Sequence, residues 1–184
     1  MNKQSLCTDD CIEDVIKAYS DMVYRQAFSY TRNKADSDDI FQEVFLRYIK
    51  NTPEFKEEEH RKAWLLRVTI NCCKKMRASA WKNKIVPLED EDNIIFESEE
   101  ENILHYELMK LPVKYRTVIH LFYYENYSVE EIGNILKQKP SAVRMTLTRA
   151  RRKLKEILKE EDYDVYEKIP QDERTDKSIA GTCE

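Results

Sequence analysis

The chain has 184 residues, room for one domain or two small ones, and its two glycines, five prolines and 36% charged residues describe a helix-rich protein with few tight turns. No run approaches ~18 consecutive apolar residues, which excludes a helical membrane span, and the first residues, MNKQSLCTDDC, lack the apolar core of a secretory signal, so the cytoplasm is the expected location. The net charge of −4 conceals a strong division along the chain: +2 over residues 1–82, −8 over 83–108, +7 over 109–160 and −5 over 161–184. A basic module between acidic stretches often marks a nucleic-acid partner.

Residues 12–50 read as two helices. The first carries Ile16, Tyr19, Met22, Val23, Tyr24, Phe28 and Tyr30. TRNKADSD then breaks the pattern and offers Asp36 or Ser37 as an N-cap. In the second helix Ile40, Phe41, Val44, Phe45, Tyr48 and Ile49 form a broad apolar arc, while Asp39, Gln42, Glu43 and Leu46 lie on the opposite face. Leu46 in the middle of a polar face reads two ways: as an ordinary exposed leucine, or as the centre of a small docking patch with a polar rim.

Asn51–Glu59 reads as a loop, after which Arg61–Trp81 forms a third helix. Its basic face, with Arg67, Asn71, Lys74, Lys75 and Arg77, suits phosphates or base edges. Trp64, surrounded by Leu65, Val68 and Ile70, is expected in the core, whereas Trp81 is freer to stack on an unpaired base. Residues 83–102 have the charge and low periodicity of a linker. Helical pattern returns from Ile103, breaks at Leu111–Pro112 and resumes through PVKYRTVIHLFYYEN.

Residues 128–158 carry the densest signal. Ser128 with Glu131 three residues on forms a capping box, and Ile132, Ile135 and Leu136 supply the buried stripe of a short helix. Lys137–Lys139 make a polar break, and Pro140 suits the first turn of the next helix. On that helix Val143, Leu147, Ala150, Leu154, Ile157 and Leu158 share one arc, and Ser141, Arg144, Met145, Thr148, Arg149 and Arg152 face the other way. A helix-turn-helix with an Arg/Thr/Ser front suits the major groove of DNA. Gly133, inside the first of its helices, is justified by a close approach of the two. Residues 161–184 have no sustained period and read as a mobile acidic tail.

The cysteines form no framework. Cys72 and Cys73 are adjacent, and Cys7 and Cys11 lack the second pair of a zinc site. Glu57 and His60 have ExxH spacing, but a di-iron bundle needs two such motifs, and His105 and His120 belong to no ligand grouping. Neither a metal, a cofactor nor an enzymatic activity is expected.

Together these segments resemble the sigma-70 family of bacterial transcription initiation factors, in its short extracytoplasmic-function (ECF) form. ADSDDIFQEVFLRYIK looks like region 2.2, RKAWLLRVTINCCKKMRAS like regions 2.3 and 2.4, and LPVKYRTVIHLFYYENYSVEEIGNILKQKPSAVRMTLTRARRKL like region 4. The resemblance implies an all-α fold of two small helical domains, region 2 at 12–82 and region 4 at 103–160, joined by the acidic linker. It implies that Asp39, Gln42, Glu43 and Leu46 dock on the β′ clamp helices of core RNA polymerase, with the β flap as a second contact. Arg67, Asn71, Lys74, Lys75, Arg77 and Trp81, with the preceding loop, would hold the melted −10 strand. Ser141, Arg144, Met145, Thr148, Arg149 and Arg152 would read the −35 duplex. An anti-sigma factor is a common partner in the family, and no stable homo-oligomer is expected.

The sequence departs from the family's pattern at Lys75 (often Asp), Ala78 (often Arg), Thr146 (commonly basic) and Lys137 (frequently Gly). Thr146 would alter −35 preference or phosphate anchoring. The competing reading is a dimeric helix-turn-helix regulator acting without polymerase, which leaves the N-terminal helices without a role.

Overall fold

A computed structural model describes residues 12–51, 54–82 and 106–160, the side chains of 80–82 and 160 excepted. Pro53, His105, the paired Cys7 and Cys11, the linker at 83–102 and the tail at 161–184 therefore lie outside the described residues, as does the side chain of Trp81. Every regular element among the described residues is helical.

Helices α1 (Ile12–Thr31), α2 (Lys34–Asn51) and α3 (Glu58–Lys82) pack on one another. Val15, Val23, Ala27, Ile40, Val44, Leu65, Leu66 and Ile70 are almost fully buried between them. The α1–α2 corner differs from the expected one. Arg32 adopts φ 55°, and the Asn33 Oδ1 accepts from the Asp36 backbone N–H at 2.8 Å, so Asn33 caps α2 in place of Asp36 or Ser37. Ser37 instead is buried, with its hydroxyl donating to the Asn33 carbonyl at 2.6 Å. Helix α3 starts three residues before the expected Arg61, because the Glu57 carbonyl accepts from the His60 and Arg61 amides.

A helical stretch at 106–110 leads through Leu111 and Pro112 into α4 (Val113–Ile119). The expected continuous helix changes pitch here. His120–Tyr124 is a π-helical turn, with the Glu125 amide donating to the His120 carbonyl at 3.1 Å. Helix α5 (Val129–Leu136) has both halves of the expected capping box at Ser128 and Glu131. It ends on Lys137 at φ 55°, where a lysine occupies the left-handed position that favours glycine. Helix α6 (Pro140–Glu160) begins at Pro140 as expected. Gly133 sits where the turn folds back, since a Cβ there would lie 2.8 Å from the Gln138 carbonyl oxygen.

The apolar back of α6 is as the wheel placed it: Val143, Leu147, Ala150, Leu154, Ile157 and Leu158 are all buried. The last four pack with Leu108, Leu111 and Ile119. Val143 and Leu147 join a larger core that also holds Val118, Leu121, Tyr127, Ile132 and the buried residues of α1–α3. The two helical units thus share a continuous apolar interface, which the sequence alone did not suggest.

Candidate nucleic-acid and polymerase interface

The front of α6 is set by its back. With Val143, Leu147 and Ala150 turned inward, Ser141, Arg144, Met145, Thr148, Arg149 and Arg152 are all exposed, Met145 to 55%. Arg144 donates from Nη2 to Glu130 Oε1 on α5 at 2.7 Å, and the Arg152 Nε lies 3.8 Å from Glu156. The Thr148 hydroxyl donates to the Arg144 carbonyl at 3.0 Å.

Two neighbours in the same basic run do not belong to this front. Arg151 turns back to donate to the Tyr123 hydroxyl at 2.8 Å and lies over the Phe122 and Tyr123 rings. Thr146 is buried, with its hydroxyl donating to the Ala142 carbonyl at 2.7 Å. The departure at Thr146 therefore does not bear on groove contacts as expected: the side chain faces the packing side.

On α2, Asp39, Gln42, Glu43 and Leu46 are exposed together, Leu46 to 46%. Ile49, expected on the buried arc, is 41% exposed, three residues beyond Leu46 and so one turn along the helix. The apolar centre of the patch is thus larger than the single leucine found by sequence. Glu43 accepts from the Arg47 Nε at 2.7 Å, and this bond holds its carboxyl below the ordinary carboxylate range. Lys75 of α3 adds a smaller push in the same direction, so the acidic face of α2 borders the basic face of α3.

Asn71, Lys74, Lys75 and Arg77 of α3 are exposed side by side, with Arg77 also over the Tyr30 ring at 5.8 Å. Arg67 is not free to join them in this arrangement. Its Nη2 donates to the Asn134 carbonyl of α5 at 3.0 Å. Lys62, earlier on the same helix, pairs with Glu125 at 3.1 Å and lies over the Tyr127 ring. The basic helix expected to face a DNA strand is therefore partly covered by the second helical unit. Trp64 packs as expected against the core, edge-on to Tyr48 and Phe55. Phe55 in turn stacks on Tyr48 and lies under Arg61, an aromatic cluster that sequence reasoning missed because its members come from three segments.

Cys72 and Cys73 are buried thiols, and burial pushes Cys73 up to about 12, which keeps it protonated. Among the described residues no group of three or more His, Cys, Asp or Glu side chains could hold a metal ion, and no helix is long and apolar enough to cross a membrane.

The family model for sigma-70 region 2 matches residues 15–83, and that for sigma-70, region 4 matches residues 101–154. The chain is 27% identical over 169 residues to the ECF RNA polymerase sigma factor SigW of Bacillus subtilis, a match covering 82% of this chain and 90% of that protein. It is 29% identical over 145 residues to the RNA polymerase sigma factor SigV of the same organism, covering 76% and 86%. Among solved structures the fold is similar to that of the sigma factor RpoE in complex with the anti-sigma factor NepR from Bartonella quintana. That match has a TM-score of 0.66 and 19% identity, and covers 80% of this chain and 96% of that one. CnrH in complex with the cytosolic domain of CnrY is similar at a TM-score of 0.58 and 23% identity, covering 83% and 89%.

Proposed function

We propose a division of labour among the surfaces of this chain, which belongs to the sigma-70 family of bacterial transcription initiation factors in its ECF form. RNA polymerase and promoter DNA are its partners, and promoter recognition is its task. The observation that carries the assignment of surfaces is the polarity of α6, an apolar back buried to its last turn behind a six-residue exposed front that includes three arginines.

In this reading the α6 front enters the major groove of the −35 element, with arginine forks on base edges or phosphates. Leu46 and Ile49, rimmed by Asp39, Gln42 and Glu43, dock on the β′ clamp helices. Asn71, Lys74, Lys75 and Arg77, joined by Arg67 and Trp81, hold the melted −10 strand. The chain needs no active site of its own, since the polymerase supplies the chemistry, and its place of action is the cytoplasm. The neighbour co-crystallised with the anti-sigma factor NepR supports an anti-sigma factor as a further partner.

The domains are taken as residues 12–82 and 103–160. Elements named −35 and −10 lie about 25 base pairs apart, on the order of 85 Å of duplex. The linker of about 20 residues reaches roughly 70 Å when extended, enough with the width of the domains to span that distance. Straddling both elements requires the contact of α5 on α3 to open, which also releases Arg67. The dimeric-regulator reading is not favoured, because it gives the region 2 helices nothing to do.

Transcription in vitro with core polymerase tests the proposal. The full chain is expected to direct the polymerase to defined start sites on genomic DNA of its source, and the triple variant Arg144→Ala/Arg149→Ala/Arg152→Ala is expected to lose them. Start sites unchanged in the triple variant would remove α6 from promoter reading.

A further inference from the structure

Beyond the surfaces that touch partners, we propose that Glu130 is a positioning residue for Arg144 and so sets base preference at the −35 element without reading a base itself. This rests on the reading of α6 given above. Glu130 lies on α5, where a carboxylate beside a DNA-facing surface repels phosphates and lowers affinity for every sequence. Yet its Oε1 accepts from the Arg144 Nη2 at 2.7 Å across the two helices, and it is the carboxylate paired with this arginine. The pair is half exposed, 49% for the arginine side chain and 60% for the glutamate, so the bond orients the guanidinium while leaving much of it open to a ligand.

The frame that holds the two residues is stiff. The capping box fixes the start of α5 two residues before Glu130. Gly133 meets the Gln138 carbonyl closely, and the turn behind it is closed by the Gln138 amide donating to the Gly133 carbonyl at 2.8 Å. Ile132 and Ile135 of α5 share a core with Val143 and Leu147 of α6. A surface ion pair adds little stability, so its use here is orientation. An arginine reads guanine through a planar fork presented in one direction, and an untethered side chain spreads over many rotamers.

The test uses holoenzyme, the full chain with core polymerase, on promoter duplexes in which each −35 base pair is varied in turn. At the base pair whose discrimination depends on Arg144, Glu130→Gln and Glu130→Ala are expected to cut discrimination by roughly three- to tenfold while affinity for non-preferred sequences holds or rises. In the Arg144→Ala background the same Glu130 substitutions are expected to change discrimination no further, as residues acting through one another do. The proposal is overturned if Glu130→Gln raises affinity for all sequences equally, the signature of charge alone. An undiminished effect in the Arg144→Ala background overturns it as well. Should Arg144→Ala leave discrimination intact at every position, the reading of α6 falls with it, an outcome distinct from failure at Glu130 alone.

Discussion

Gly133→Ala sets two known effects against each other, and the structure decides the sign. Alanine in a helix interior is favoured over glycine by about 1 kcal/mol. Against that, the new Cβ would stand 2.8 Å from the Gln138 carbonyl oxygen, with Pro140 atoms at 3.7 and 3.8 Å behind it. The obstacle is backbone rather than a flexible side-chain end, and it is pinned by the hydrogen bond from the Gln138 amide back to Gly133. Relief requires the α5–α6 turn to move by several tenths of an ångström, and overpacking of this kind costs about 1–3 kcal/mol. The net expectation is a destabilisation of about 1 kcal/mol, or roughly 2–4 °C in Tm for a chain of this size. Asn134→Ala, the next residue and exposed, carries the propensity gain without the clash and is expected to stabilise by about 0.5 kcal/mol. Reversible urea unfolding followed by circular dichroism compares the two at constant m. A Gly133→Ala midpoint at or above that of Asn134→Ala would refute the close-approach argument.

Other expectations follow from single residues. Lys137→Gly removes a side chain from the left-handed cap of α5 and should stabilise by about 0.5–1 kcal/mol in the same unfolding assay, provided helix α6 keeps its start at Pro140. Leu46→Asp places a charge at the centre of the exposed α2 patch, and is expected to abolish co-purification with core polymerase while the unfolding midpoint stays within about 0.5 kcal/mol of the parent. The Ser128 hydrogen bonds hold the Glu131 carboxyl below its ordinary value. A lowered folded pKa gives stability that is present above the unfolded carboxylate range and is lost as pH falls through the folded value. Glu131→Gln should therefore flatten part of the acid limb of a stability–pH curve, and an unchanged limb would count against the capping box as its source.

Local signals were the legible ones. The capping box, the proline at the start of α6 and its apolar arc depend on residues within a few positions of one another, and each stands where periodicity placed it. What escaped notice depends on partners distant in sequence. Asn33 outcompeted Asp36 and Ser37 as a cap because Ser37 is drawn into the packed corner with Thr31. The π-helical turn at His120–Tyr124 leaves no trace in a 3.6-residue pattern. Ile49 stands at the edge of the apolar arc, about 180° around the wheel from the buried Ile40, and is exposed. Arg67 matched a basic face by spacing, but the carbonyl it meets is 67 residues away.

That last contact has a thermodynamic corollary. If only the opened chain straddles the −35 and −10 elements, as proposed above, the contacts of Arg67 with the Asn134 carbonyl and of Lys62 with Glu125 stabilise the form that cannot do so. Each tenfold bias toward the shut form would then weaken apparent affinity for the promoter by about tenfold. Substitutions in the seam, far from any nucleotide, would then tune how readily genes are switched on.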